Sequence, residues 1–372
     1  MKILYITNGI AGAGGLERVL SVKASLLADQ FRYDVHLLSL NEEGLKTFFD
    51  FSDKIIRHSI EVAGNPLLYI SAYKRGIQQK INEIQPDIIS VCDDGLKGFF
   101  LPYILKTNAK IIYERHVSQL IELGSAAGML SKLVTTFKFR LMNLLAHKFA
   151  HFVVLTDGNK KEWKLPNLIV IPNPLPFYPA TAAVLNSKKV IAVGKQGYQK
   201  AYDLLLAAWA QLPTEKSGWE LHVYGKIEPD LKLNDLAKHL EVSDSVFFHP
   251  PDINIEARFL ESSIFVLSSR FEGFGMVIIE AMACGLPVVS FDCPYGPSDI
   301  ISHGIDGFLI NNGNVVDLAE NIHSLMIDDS LRKQLGSKGR ETAKQYLPEV
   351  VVMQWHNLFQ RLFNQSSIKK SL

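Results

Sequence analysis

Two series of short apolar runs, one on each side of a proline-dense stretch, limit this chain to a few folds. The first series is KILYIT (Lys2–Thr7), YDVHLLSL, DIISVC, KIIYERH and HFVVLT; the second is KKVIAVGK, WELHVYGK, SVFFHP, SIFVLSS and PVVSFD. Helical patterns separate most of them. Runs that are apolar along nearly their whole length suit strands buried on both faces. Strands alternating with helices make a parallel sheet covered by those helices. The stretch IPNPLPFYPATAA (Ile171–Ala183) continues neither pattern. Proline has no backbone N–H and resists helix interiors and central strands. The expected fold class is therefore α/β, with two tandem Rossmann-like, doubly wound parallel-sheet domains. Their expected bounds are residues 1–175 and 184–347, joined by a proline-rich linker at 176–183. Residues 348–372 are expected to form an amphipathic helix that packs back on the first domain. A length of 372 residues suits two domains of ordinary size.

In open sheets of this kind, ligands bind beyond the carboxyl ends of the strands. Two such domains facing each other would line a cleft with those loops. A formal net charge of +1, with 21% charged residues, gives no overall bias toward nucleic acid or acidic substrates. Cys92, Cys284 and Cys293 are odd in number, lack CxxC spacing and lie in or beside apolar runs, which fits reduced, packed thiols. The first residues hold too short an apolar run for a signal peptide, and no run approaches the roughly 18 apolar residues of a membrane span. The expected location is cytoplasmic, with peripheral attachment at the inner face of the cell membrane left open.

Five loops draw attention. NGIAGAGGLER follows the first strand; its Gly12, Gly14 and Gly15 are expected to permit positive φ and close approach of a ligand. A helix begins near Leu16, so its N–H groups would face a phosphate or a sugar hydroxyl. The loop lacks the Gly-Lys-Ser/Thr of a Walker A motif, and Glu17 stands where GxGxxG needs its third glycine. A plain strand-to-helix turn is the other reading. His116, in YERH, ends a strand and is placed either to assist at a substrate oxygen or simply to be held by local hydrogen bonds. Lys195 and Lys200 follow the first strand of the second series. They suit a diphosphate leaving group, or are ordinary solvated lysines. In RFEGFGMVIIEAMACG, a turn leads into a helix from Met276 to about Cys284. Glu272 lies at the mouth of that helix, and Glu280 lies a turn inside it among apolar neighbours. A buried carboxylate must meet a cation, strong donors or ligand hydroxyls, so a structural ion pair also stays open. FDCPYGPSDII follows the next strand and adds little specificity of its own. Asp93 and Asp94 are adjacent and read as a loop pair, with no metal site expected.

The spacing Glu272-Gly-Phe-Gly-x4-Glu280, followed by AMACGLPVV, resembles the E-x7-E signature of the retaining GT-B glycosyltransferases, specifically glycosyltransferase family 4. AGAGGLERV resembles the family's N-terminal glycine loop, VGKQGYQKAYDLL its basic segment, and FDCPYGPSDII its later donor loop, so the likeness spans both domains. The resemblance implies that Glu280 binds the ribose hydroxyls of a nucleotide and that Glu272 contacts the donor sugar. It implies that the backbone at Phe274, Gly275 and Met276 meets diphosphate and sugar. Lys200 matches the diphosphate lysine. Lys195 stands where arginine is common, which keeps the charge but loses the planar fork. His116 resembles the histidine near the donor sugar, and Gly14 and Gly15 match the loop near diphosphate and acceptor. The implied reaction is retaining and metal-independent, with no cofactor beyond the nucleotide-sugar co-substrate.

The likeness points first to a UDP-hexose or UDP-N-acetylhexosamine donor and to a glycan or polyprenyl-linked acceptor in surface-polysaccharide assembly. The turn FFHPPDI stands where the family reads the base. GDP-mannose transfer, a UDP-N-acetylglucosamine 2-epimerase-like activity and a non-catalytic sugar-binding protein are the alternatives. A nicotinamide-dependent dehydrogenase would need the GxGxxG that is absent. Between Met129 and Phe149, Leu130, Leu133, Val134, Phe137, Leu141, Leu144 and Leu145 recur at helical spacing, flanked by Lys132, Lys138, Arg140, His147 and Lys148. This is either a buried helix with a solvated basic face or an amphipathic patch for anionic lipid.

Overall fold

A computed structural model describes residues 1–93, 95–120, 129–213 and 218–368. The chain divides into two compact units, Met1–Pro176 with Pro348–Leu372, and Phe177–Leu347.

The first unit is a seven-stranded parallel sheet: β1 (Lys2–Thr7), β2 (Asp34–Leu40), β3 (Ile56–Ile60), β4 (Ile88–Cys92), β5 (Lys110–Glu114), β6 (Phe152–Val154) and β7 (Leu168–Val170). Its order is β3-β2-β1-β4-β5-β6-β7. The central strands are the ones that read as continuous apolar runs; every residue of β4 is buried. β3 and β7, at the two edges, escaped that pattern. IRHSI is half polar because an edge strand faces water, and LIV is only three residues long.

Helices α1 (Gly15–Asp29), α2 (Pro66–Ile84), α3 (Leu96–Phe99), α4 (Leu101–Ile104) and α5 (Met129–Ala146) connect these strands. α2 starts sharply because the Asn65 side chain accepts from the Leu67 and Leu68 N–H groups, with Pro66 in the first turn. The helix stripe facing the core includes Tyr73, Ile77 and Ile81 from α2 and Phe139, Met142 and Leu145 from α5. Four apolar residues of the α5 sequence stripe lie on the outside instead. Leu133, Val134, Phe137 and Leu144 are each more than 60% exposed.

The second unit holds six parallel strands: β8 (Lys189–Val193), β9 (Glu220–Tyr224), β10 (Val246–His249), β11 (Ile264–Leu267), β12 (Val288–Asp292) and β13 (Phe308–Asn311), ordered β10-β9-β8-β11-β12-β13. β13, again an edge strand, had no counterpart in the sequence reading. α6 (Tyr202–Ala210), α7 (Leu233–His239), α8 (Ile255–Leu260), α9 (Met276–Ala283), α10 (Pro297–Ile300), α11 (Val315–Ile327) and α12 (Asp329–Ala343) complete this unit. Asn314 and Asp328 cap α11 and α12 through their side chains. Residues from Phe177 to Ala183 are tied into this unit rather than spanning open space. Ala183 N–H donates to the Cys284 carbonyl at 2.8 Å, and the Arg340 guanidinium donates to the Pro179 carbonyl and lies over the Tyr178 ring.

The last helix, α13 (Pro348–Ile368), belongs to the first unit. Val351, Val352, Trp355, Leu358, Phe359 and Leu362 recur at helical spacing and are buried with Leu20, Ala24 and Leu27 of α1. Each large side chain so buried contributes about 1.5–3 kcal/mol, which is why the chain end returns to this sheet.

Candidate active site

Both sheets reverse strand order beside their first strand, at β1/β4 in the first unit and β8/β11 in the second. Ligands of such sheets bind beyond these reversals, and the residues singled out in the sequence lie there or on neighbouring strand ends.

In the second unit, β11 ends at Leu267 and the chain turns through Ser268–Gly275 into α9. Lys200, from the turn after β8, reaches this turn. Its Nζ lies 2.7 Å from Glu272 Oε1, with 14% and 8% of the two side chains exposed. Ser269 Oγ donates to the same oxygen at 2.6 Å, and Gln199 Nε2 lies 3.4 Å from the other. Ser268 Oγ donates to the Lys200 carbonyl at 2.8 Å, which fixes the lysine's backbone on the same turn. Arg270, beside them, grips Asp203 with both terminal nitrogens at 3.0 and 2.6 Å and stacks on Tyr198. The carboxylate and ammonium are thus held on one turn by the protein's own side chains and backbone. Ser269 and Gln199 carried no signal of their own in the sequence, whereas Asp203 stands in VGKQGYQKAYDLL, the stretch that resembles the family's basic segment.

Glycine 275 caps α9 in the left-handed region (φ +90°), which lets the turn enter the helix directly. Phe274 is buried edge-on against Tyr346 at 5.7 Å, so its backbone faces the loop rather than its ring. Met276 opens the helix, and Ile278 N–H in its first turn donates back to the Gly275 carbonyl at 2.8 Å. The loop after β12 is laced to this turn: Glu272 N–H donates to the Pro294 carbonyl and Tyr295 N–H donates back to Glu272, both at 2.9 Å. Gly296 (φ +115°) passes so close to the Phe274 carbonyl that a side chain there would collide with it. FDCPYGPSDII is therefore a structural brace for the Glu272 turn, a role its sequence did not reveal. Glu280 is 2% exposed on α9, among buried Ile278, Ile279, Ala281 and Met282.

The two lysines part company. Lys195 is 62% exposed and pairs with Glu228 at 2.5 Å, away from Glu272. Gln196, between them in sequence, is buried and donates to the Gly225 and His249 carbonyls at 3.2 Å, tying the ends of β8, β9 and β10 together beside the FFHPPDI turn.

In the first unit, the glycine loop differs from expectation. Among the described residues, Gly12, Gly14 and Gly15 all avoid positive φ. The Glu17 side chain folds against two of them. A Cβ at Gly12 would lie 2.7 Å from Glu17 Oε1, and the Glu17 carboxylate also crowds Gly14, whereas Gly15 is open. Ile10 and Ala11 N–H groups donate to Glu42 at 2.7 and 3.1 Å. Burial, with the nearby Glu42 charge, outweighs a backbone hydrogen bond that pulls the other way and leaves the Glu17 carboxyl above its usual range. Glu17, in the first turn of α1, and Glu42, just past β2, thus set two carboxyl groups against this loop.

Asp93, at the end of β4, is fully engaged: its carboxylate accepts from Gly95 N–H at 2.7 Å, Asn8 at 3.1 Å and Tyr73 at 3.3 Å. Asp94 lies outside the described residues. His116, two residues past β5, is 93% buried at the side chain, its Nε2 3.3 Å from Glu114 Oε2. Cys92, Glu114 and His116 bring possible ligand atoms within 4.8 Å of one another, the only such group among the described residues. The Lys23 ammonium already sits on that Glu114 oxygen, so the cluster is built for an ion pair rather than for a cation.

Two parallel-sheet units, with an E-x7-E turn laid beyond the second unit's strand reversal, define a GT-B glycosyltransferase. The solved structure of Anabaena HepE in complex with UDP-glucose has the same fold, with a TM-score of 0.78 at 19% identity, covering 97% of this chain and 100% of that one. The family model described as glycosyl transferases group 1 matches residues 179–342. An uncharacterized glycosyltransferase of Haemophilus influenzae is 31% identical over 364 residues, covering 96% of this chain and 99% of that protein. The amylovoran biosynthesis glycosyltransferase AmsD of Erwinia amylovora is 26% identical over 372 residues, with 96% and 99% covered. The chain belongs to the glycosyltransferases, and its residues 179–342 match the group 1 model.

Proposed function

We propose that the chain is a retaining, metal-independent hexosyltransferase of family 4. It moves a hexose or N-acetylhexosamine from a UDP-sugar to a glycan or polyprenyl-linked acceptor in surface-polysaccharide assembly. The observation that carries this reading is the Lys200–Glu272 pair on the E-x7-E turn, at the mouth of α9. Breaking the sugar–diphosphate bond leaves negative charge on the diphosphate. Lys200 and the positive end of α9 are placed to stabilise that charge as it develops. Displacing the Lys200 ammonium toward phosphate frees Glu272 for the sugar hydroxyls, while Glu280 takes the ribose. Lys195 serves only if it leaves Glu228. His116 meets the donor sugar, and the loop at Gly14 and Gly15, with its two carboxylates, receives acceptor hydroxyls. The likeness to AmsD, an amylovoran biosynthesis glycosyltransferase, and to HepE, solved with UDP-glucose, supports a polysaccharide product and a UDP-sugar donor.

The test is a side-by-side panel of UDP-glucose, UDP-N-acetylglucosamine, UDP-N-acetylgalactosamine, GDP-mannose and ADP-glucose, read by thermal shift and slow hydrolysis, with and without EDTA. UDP-sugars should stabilise and hydrolyse, EDTA should change nothing, and NMR should find the released sugar first in the donor's anomeric form. Preference for GDP-mannose would move the reading to a mannosyltransferase. Inversion, or loss of activity with EDTA, would sink the mechanism.

Peripheral membrane contact belongs to the same reading. α5 exposes Leu133, Val134, Phe137 and Leu144 with Lys132, Arg140, His147 and Lys148 nearby, which fits shallow insertion beside anionic headgroups at the inner face of the cell membrane. Among the described residues, no helix is long and apolar enough to cross a membrane.

A further inference from the structure

The Lys23–Glu114 ion pair lies wholly inside the first unit, with 0% and 2% of the side chains exposed. Donor binding as described leaves it without a task. Such a pair stabilises a fold little better than apolar residues of the same size, so its use is sought in its other contacts. Lys23 lies on the inner stripe of α1, its Nζ boxed by the Tyr5 ring at 5.0 Å and the Trp355 ring of α13 at 4.1 Å. Ser90 Oγ donates to Glu114 Oε1 at 2.5 Å, and His116 Nε2 approaches Oε2 at 3.3 Å. His116 Nδ1 is buried and has no partner among the described residues.

We propose that Glu114 is a positioning residue for His116, fixing its proton on Nε2 and turning Nδ1 into a hydrogen-bond acceptor for a hydroxyl of the donor sugar. This rests on the reading in which His116 meets that sugar. A carboxylate accepts hydrogen bonds and cannot donate them, so the ring nitrogen facing Glu114 must carry the proton. Lys23 balances the carboxylate charge, so the ring is held without itself having to be charged. The neutral ring then offers its lone pair at Nδ1, the atom left without a partner. A histidine used this way recognises a hydroxyl by accepting from it. α13 enters the site indirectly, because Trp355 covers the ammonium that holds Glu114.

The full-length chain, labelled with 15N-histidine, decides this by long-range 1H–15N NMR near pH 7.5, with His116 assigned through His116→Gln. The expected wild-type signal is the Nε2–H tautomer. A doubly protonated ring or an Nδ1–H tautomer overturns the proposal without any variant. Glu114→Gln should keep its amide oxygen on the side that Lys23 and His116 share and so keep the tautomer, whereas in Glu114→Leu nothing accepts from Nε2 and His116 should leave the pure Nε2–H state. Hydrolysis of UDP-glucose and UDP-N-acetylglucosamine should then lose about 100-fold in kcat, with KM little changed. An unchanged tautomer in Glu114→Leu also overturns the proposal. Should the single variant not fold, Lys23→Met with Glu114→Leu removes both charges together and should lose the pure Nε2–H signature. His116→Ala with wild-type turnover would remove His116 from the reaction, a failure of the underlying reading that the wild-type spectrum separates from a failure of Glu114.

Discussion

Lys200 and Glu272 meet at 2.7 Å on a turn that also supplies Ser269 to the same carboxylate oxygen. Seventy-two positions apart in sequence, they are joined because β8 and β11 are neighbours at the strand reversal. The pair is both a structural contact and a chemical device, and the two roles can be separated. Lys200→Ala leaves a carboxylate that is still held by Ser269 and Gln199 but has lost its cation. It should lower stability by about 3 kcal/mol and reduce turnover strongly. Lys200→Met combined with Glu272→Gln should regain much of the stability in thermal unfolding and none of the turnover. Recovery of both together would leave the pair without a chemical role.

Glu280 is tested by nucleotide affinity rather than by rate. Glu280→Gln keeps the shape of a residue that is 2% exposed and removes charge from its hydrogen bonds, each worth about 1.5–3 kcal/mol. Calorimetry with UDP should show binding weaker by roughly 10-fold or more. Unchanged affinity would take the ribose away from Glu280.

Acid stability reports on Glu114. Burial alone would raise its carboxyl, but Lys23 and His116 outweigh burial and hold it at about 2, below the ordinary 4.5. A carboxyl depressed in the folded state binds fewer protons there than in the unfolded chain. Its stabilisation is therefore complete above about pH 4.5 and is lost as pH falls toward 2, on the order of 3 kcal/mol in all. Denaturant unfolding of wild type between pH 5 and 2.5 should fall more steeply than that of Glu114→Gln. Parallel curves would mean that the carboxyl does not stay ionised inside the sheet.

Membrane contact depends on residues that the core does not need. Phe137→Ser with Leu133→Ser removes two side chains exposed by 69% and 66%, so the melting temperature should hardly move. Sedimentation with anionic vesicles should drop to the level seen with neutral ones. Strong binding that persists in the double variant would place any lipid contact elsewhere.

Sequence by itself determined the fold class, because central strands of a parallel sheet are buried on both faces and have to be apolar along their length. Most of the ten legible strands were legible for that reason; the three that were not, β3, β7 and β13, are edge strands, where one side faces water or the strand is too short to show a pattern, and the fourth edge strand, β10, was legible from its short apolar run alone. The E-x7-E turn was legible because its glycines and carboxylates are adjacent in the chain. What only the tertiary structure decided is which charges meet. Lys195 and Lys200 look equivalent in sequence, yet one joins Glu228 and the other Glu272. Lys23 sits on the apolar stripe of α1, a hint that passed unread, and it needed strands β1, β4 and β5 and helix α13 to become half of a buried pair. The apolar period of α5 predicted a helix but not its buried face, since Phe139 and Met142 went inward and Phe137 did not. Backbone pattern is a local property of the chain, whereas the partner of a charge and the face of a helix are set by what packs against them.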